Sequence, residues 1–254
     1  MNKKAFITGA TSGIGAGFTR KLAENGYDLI ITGRNMEKMG IVADEVKKRY
    51  KTHVEIISAD LSEDFDIGKI EESIKDFKPD ILVNNAGFGH GSVFMETAKK
   101  KVIDMLKVHV QAPTIFTHAA LQYMKKNGNG KIINVSSLAS FLRARGTTEY
   151  VATKSYLVEF SITLDKYLKK NYPGIHVQVL CPGFTHTDFH STPDLSDFDK
   201  KRFPKFMWMD SGQVVKCSLD NLNNRRNPVI PGKFNKFAYF LLNCPLIGKI
   251  AKSI

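Results

Sequence analysis

The sequence predicts an α/β fold, a doubly wound parallel sheet of about seven strands with helices on both faces. Three observations carry this expectation. Short apolar runs recur along the chain, near-continuous rather than alternating, as strands buried on both faces require. Longer polar segments with apolar residues at three-to-four spacing separate them, which is the helical period. The first run ends in a glycine-rich turn that opens directly into such a segment. This β–α alternation implies right-handed crossovers and a covered parallel sheet.

The elements follow in order. The strand runs are AFIT (Ala5–Thr8), DLIIT (Asp28–Thr32), HVEIIS (His53–Ser58), DILV (Asp80–Val83), KIINVS (Lys131–Ser136), HVQVL (His176–Leu180) and PVI (Pro228–Ile230). Helical segments between them include GIGAGFTRKLAENG and the long stretch from Thr97 to Met124. The region 184–210 breaks the alternation. It carries Phe184, Phe189, Phe198, Phe203, Phe206 and Trp208 among polar residues, and its aromatic content argues against disorder. A hydrophobic lid over a pocket is the functional reading, and local packing the structural one. No linker, repeat or low-complexity segment interrupts the chain, so residues 1–254 are expected to form one domain with a C-terminal extension over 229–254.

Composition excludes several classes. The chain has 254 residues, enough to bury a core without staples. Cys181, Cys217 and Cys244 are far apart and follow no metal-ligand spacing, so no metal is expected and a reduced, cytoplasmic setting fits. The apolar run at the N-terminus is too short for a signal segment. Net charge is +12, but Arg225, Arg226, Lys233, Lys236, Lys249 and Lys252 carry half of it in a stretch with no acid from Asn221 onward. No recognition motif accompanies the charge, and nucleic acid is not an expected partner. The run FAYFLL, interrupted by Asn243 and Pro245, is too short to span a bilayer. Residues 234–254, with their lysines, could lie at an anionic membrane surface, or pack on the body or across an oligomer interface.

The first turn, TGATSGIG, runs from Thr8 to Gly15. Gly9, Gly13 and Gly15 permit a tight turn and close approach of phosphate oxygens, and the helix N-terminus offers free N–H groups and a favourable dipole. Its spacing, G-x-x-x-G-x-G, departs from the commoner dinucleotide fingerprint. Near the end of the second strand, where an acid would bond the ribose 2′-hydroxyl of NAD, stands Arg34. A guanidinium attracts a 2′-phosphate, so NADP(H) is favoured over NAD(H). Asp60 could accept from an adenine amino group or cap the next helix.

EYVATK raises a further pair, Tyr150 and Lys154, four apart on one helix face. Taken with TGATSGIG, NNAG (Asn84–Gly87), the strand ending VSS (Val135–Ser137) and CPGFTHT (Cys181–Thr187), the order resembles that of the short-chain dehydrogenase/reductase family over about Lys3 to Thr187. The resemblance implies a Rossmann-type fold and an NADP-dependent enzyme acting on CH–OH groups. It implies that Gly9, Ser12, Gly13, Ile14 and Gly15 line the pyrophosphate, Asp60 and Leu61 the adenine, and Asn85, Ala86 and Gly87 the adenosine ribose. Pro182, Gly183, Thr185 and Thr187 would hold the nicotinamide carboxamide. The family pattern places a serine 13 residues before the tyrosine, which is Ser137.

In that scheme Ser137 donates to the carbonyl oxygen, Tyr150 hands over a proton, and Lys154 favours the phenolate and bonds the nicotinamide ribose. Many relatives have asparagine where KVHVQAP places His109. The imidazole could fill space beside a water-holding carbonyl, shuttle protons itself, or impair catalysis. The tail resembles the ending of a bacterial branch related to ketoacyl and hydroxysteroid reductases. Apolar ketones or aldehydes, 3-oxoacyl or steroid-like, are the expected substrates. A homodimer or homotetramer through the helices over Lys99–Lys126 and Glu149–Lys170 is the expected assembly. The rival reading is a non-catalytic NADP-binding sensor or scaffold.

Overall fold

The computed structural model describes residues 2–142, 148–191, 195 and 199–244. Parts of the expected lid (192–194 and 196–198) and the end of the C-terminal extension (245–254) lie outside the described residues. Six strands form one parallel sheet: β1 (Lys3–Thr8), β2 (Tyr27–Gly33), β3 (Val54–Ser58), β4 (Ile81–Asn84), β5 (Gly130–Val135) and β6 (Ile175–Leu180), in the order β3-β2-β1-β4-β5-β6. The seventh run contributes a single bridge, Leu180 to Val229. Pro228 has no N–H to donate, which limits how far that edge can pair.

The helices are α1 (Gly13–Glu24), α2 (Met36–Tyr50), α3 (Asp64–Phe77), α4 (Lys99–Leu106), α5 (Ala112–Asn127), α6 (Thr148–Asn171), α7 (Ser211–Asp220) and α8 (Lys233–Asn243). They cover both faces because strand alternation splits the core. Ala5 and Ile7 of β1 pack with Phe18, Leu22, Met39 and Val214, while Phe6 packs with Ile70, Ile74, Phe116 and Met124. Each fully buried Phe or Leu of this kind adds roughly 1.5–3 kcal/mol.

Strand order reverses between β1 and β4, and the crevice beyond the strands' carboxyl ends at such a point is where ligands bind in open α/β sheets. A buried polar bridge stiffens the sheet there. Asn84 Nδ2 donates to Asn134 Oδ1 at 2.8 Å and to Thr117 Oγ1 at 3.2 Å, and Asn134 Nδ2 donates to Ser161 Oγ at 2.9 Å. These bonds tie β4 and β5 to α5 and α6, and buried polar groups need such partners.

Candidate active site

The glycine turn after β1 has the shape of a phosphate cradle. Gly9 and Gly13 have φ of +68° and +55°, a region that side chains rarely adopt. A Cβ on Gly9 would sit 2.7 Å from Ala86 Cα, and one on Gly13 would sit 2.7 Å from the Thr187 methyl. One on Gly15 would collide with the Gly9 carbonyl and Asn85. Asn85 locks the turn, with Nδ2 donating to the Thr8 carbonyl at 3.0 Å and the Gly9 carbonyl at 2.9 Å. Thr8 Oγ1 accepts in return from the backbone N–H groups of Asn85 and Ala86, at 3.0 and 3.1 Å. Ser12 is the N-cap of α1 but makes no side-chain cap bond, and the first turn has no acid. The first turn of the helix therefore carries no anion of its own against the dipole. Ile14 packs on the core from this turn.

Arg34 and Asp60 flank the end of β2. The guanidinium is largely exposed and only 3.9 Å from the Asp60 carboxylate, a loose ion pair that leaves it able to turn to another anion. Burial alone would raise the Asp60 pKa; hydrogen bonds from Ser62, with Arg34 and Lys100 nearby, outweigh it and hold the group lowered. The expectation that Asp60 might cap the next helix needs correcting. The N-cap of α3 is Glu63, and the Asp60 carboxylate instead accepts from the Ser62 N–H (3.0 Å) and hydroxyl (2.8 Å), an Asx-type turn. Leu61 beside it is buried. Glycine cradle, uncapped helix terminus and loosely held arginine are the features a phosphorylated dinucleotide needs, and these residues fit one.

Strand alternation separates the two serines after β5. Ser136 turns to α6, donating to the Lys154 carbonyl at 2.7 Å. Ser137 faces the crevice, where its hydroxyl meets the Tyr150 phenol. Burial pushes that phenol above its ordinary value, and the bond with Ser137 only partly offsets this. Lys154 is also buried. Its ammonium donates to the Val135 carbonyl at 2.9 Å and lies 5.9 Å from the Tyr150 ring centroid. Burial pulls it down to about 8, against a smaller opposing effect of Cys181. Among the influences of the chain itself, desolvation is the larger one on the phenol.

His109 lies in a π-helical turn, Lys107–Gln111, between α4 and α5. The wide turn is closed by the Ala112 N–H on the Lys107 carbonyl. Pro113, four residues on, has no N–H, so the His109 carbonyl lacks the donor that an α-helix would supply. The ring itself is fully buried. Nε2 accepts from the Phe88 N–H at 3.0 Å, which puts the proton on Nδ1, and Nδ1 donates to Thr153 Oγ1 at 3.0 Å. Thr153 passes the chain on to the Tyr150 carbonyl. Burial first, then the nearness of Lys154 and His90, hold the imidazole well below its usual range. Both nitrogens are engaged and the ring is neutral, so in this arrangement it has no free site from which to shuttle a proton.

The remaining predicted residues close round the same crevice. Gly87 lies so near that a Cβ there would sit 3.0 Å from His109 Nε2 and 3.4 Å from Lys154 Nζ. The Pro182 carbonyl accepts from the Leu138 N–H at 2.7 Å, and Thr185 Oγ1 donates to the Gly183 carbonyl at 3.0 Å. Thr187 reaches the glycine turn, as its contact with Gly13 shows. Phe189, from the expected lid, sits 5.8 Å from the Tyr150 ring, and a Cβ on Gly89 would be 2.9 Å from it. Phe184 packs between Phe203 and Trp208, centroids at 4.4 and 5.1 Å. Sequence reading missed Thr153 and Pro113 as positioning groups, although Pro113 stood in KVHVQAP as a visible signal. It also missed His90 and Glu149, a nearly fully buried pair 3.7 Å apart beside Tyr150.

Comparison with known proteins agrees with the fold. The family profile described as short chain dehydrogenase matches residues 3–195. A 3-oxoacyl-(acyl-carrier-protein) reductase of Aquifex aeolicus is 32% identical over 205 residues, 80% of this chain and 81% of the relative. A human protein named inactive hydroxysteroid dehydrogenase-like protein 1 is 34% identical over 187 residues, covering 72% of this chain but 56% of the relative. Among solved structures, a short-chain dehydrogenase from Sphingobium yanoikuyae in complex with NADPH superposes with a TM-score of 0.83 at 25% identity, over 98% of this chain and 95% of that one.

Proposed function

The chain belongs to the short-chain dehydrogenase family, and on that premise we propose that it is an NADP(H)-dependent oxidoreductase working on the carbonyl or alcohol carbon of an apolar substrate. The bound dinucleotide supplies the hydride donor or acceptor, held by Gly9, Ser12, Gly13, Ile14 and Gly15 at its phosphates and by Arg34 at the 2′-phosphate. Asp60 and Leu61 flank the adenine, and Asn85, Ala86 and Gly87 the ribose. Pro182, Gly183, Thr185 and Thr187 orient the nicotinamide end, and Lys154 reaches its ribose.

One observation carries the proposal: Ser137, Tyr150 and Lys154 converge on one crevice, the phenol close enough to the serine hydroxyl to feel it and a buried ammonium 5.9 Å from the phenol ring. As a carbonyl oxygen gains negative charge, Ser137 donates a hydrogen bond to it and Tyr150 gives up its proton. Lys154 then holds the phenolate by charge. His109 positions this set through Phe88, Thr153 and the Tyr150 backbone, and leaves its own carbonyl available to water. Phe189 over Tyr150 supports an apolar ketone or aldehyde, and the Aquifex relative's name suggests 3-oxoacyl compounds. Outward-facing Ile103 and Leu106 on α4 and Tyr156 and Tyr167 on α6 support pairing of two copies through these helices.

A panel of ketones, aldehydes and alcohols assayed with NADPH and NADH tests the proposal: turnover of at least one apolar carbonyl compound, faster with NADPH, is expected. The second reading is non-catalytic dinucleotide binding, favoured by the human relative named inactive. Tight NADPH binding with no turnover across the panel would establish it.

A further inference from the structure

The outward face of α8 is both aromatic and basic. Phe234, Phe237 and Phe240 recur every third residue and are 37%, 59% and 66% exposed. Phe206, from the short turn Lys205–Met207, is 67% exposed and packs edge-on against Phe234 with centroids 5.1 Å apart. Lys205, Lys233 and Lys236 are exposed beside them. No acid occurs anywhere from Asn221 to Ile254, where six cations stand.

The inner face of the helix fixes this orientation. Asn235 is buried, its Nδ2 donating to the Pro231 carbonyl at 2.9 Å, and it fills the space beside Gly183. Leu242 is buried, and Tyr239 packs edge-on against Phe141 at 4.8 Å. The helix cannot roll to hide its phenylalanines without breaking those contacts. Packing on the body thus accounts for one side of α8 and leaves the other uncovered.

We propose that this face docks on an anionic lipid bilayer, with Phe206, Phe234, Phe237 and Phe240 entering the boundary between headgroups and acyl chains and Lys205, Lys233 and Lys236 meeting lipid phosphates. Aromatic side chains on one face with lysines at the rim and no acid is the composition of a helix that lies in an interface plane. The charge complements anionic lipid and does not complement a second copy of the same basic face. Among the described residues no helix is long and apolar enough to cross a membrane, so the contact is peripheral. Phe206 stands between Phe203 and Trp208, which pack on Phe184, so docking sets this aromatic cluster against lipid, where an apolar substrate is dissolved.

Cosedimentation of the full-length protein with vesicles tests this. Vesicles of mixed phosphatidylglycerol and phosphatidylcholine are compared with phosphatidylcholine alone. The variants are Phe237→Ser with Phe240→Ser, and Lys233→Glu with Lys236→Glu. The wild type is expected to pellet with the anionic vesicles. Either double variant should weaken binding about tenfold or more, and so should raised salt. Thermal midpoint, dinucleotide binding and oligomeric mass should stay unchanged, so the outcome is read independently of catalytic activity. The proposal is overturned if wild type stays in the supernatant, if it binds neutral vesicles equally, or if both variants bind as wild type does. It is also overturned if the phenylalanine variant dissociates an oligomer in light scattering, which would make this face a subunit interface.

Discussion

Lys154 gives a test of the site that needs no substrate. Replacing it with methionine keeps the length and removes the charge. The folded-state pKa is pulled from the ordinary 10.5 to about 8 by burial. Below about 8 both folded and unfolded chains hold the proton, and the folded chain bears the full cost of a desolvated cation. Above 8 the folded lysine releases its proton while the unfolded one keeps it, so stability rises with pH until 10.5. At ~1.4 kcal/mol per pKa unit the whole window is worth about 3 kcal/mol, and the part between pH 7 and 9 about 1.4 kcal/mol. Cys181, pushed up to about 12 by its own burial, acts in the opposite sense above pH 9, which is why the lower window is chosen. Thermal midpoints of wild type and Lys154→Met should therefore converge or cross over this range, the wild type gaining roughly 3–5 °C relative to the variant by pH 9. A difference that stays flat from pH 7 to 9 would show that the lysine is solvated and refute its placement beside Tyr150.

Three further outcomes follow from the same geometry. His109→Asn should keep turnover within about tenfold of wild type, because the ring shuttles no proton and Pro113 still leaves the carbonyl of residue 109 free; an inert variant in steady-state assays would reinstate the imidazole as a catalytic group. Arg34→Ala should weaken NADPH binding by about 10- to 100-fold in fluorescence titrations while leaving NADH nearly unchanged, the worth of a charge-assisted hydrogen bond to phosphate. Gly13→Val places a branched side chain at positive φ against Thr187, and should abolish dinucleotide binding in calorimetry while the sheet stays folded by circular dichroism.

Much of the fold was legible because strands buried on both faces must be apolar throughout: the six runs from AFIT to HVQVL each became a strand within about two residues. PVI shrank to one bridge because Pro228 lacks a donor, a local fact that the apolar pattern does not register. The tight glycine turn was legible from its spacing, whereas the packing of Asn85 and Thr187 against it was not, since both come from distant parts of the chain. What was not legible depends on which groups meet in space. An i,i+4 pair places Tyr150 and Lys154 on one helix face, but that the ammonium donates across to the Val135 carbonyl of β5 is a contact between distant elements. Asp60 was ambiguous from sequence because capping and an Asx turn use the same residue types; the position of Ser62 decides it. The tautomer of His109 follows from the Phe88 N–H, 21 residues distant in the chain, and no periodicity reports such a contact.

The central claim is that Tyr150 moves the proton at a carbonyl oxygen. Tyr150→Phe removes one oxygen from a half-buried ring and leaves the dinucleotide cradle intact. Steady-state oxidation of NADPH, with the best ketone from the substrate panel, should fall by about 10²–10⁴-fold in this variant, while the dissociation constant for NADPH stays within about twofold. Turnover at the wild-type rate with NADPH bound as tightly would contradict the account.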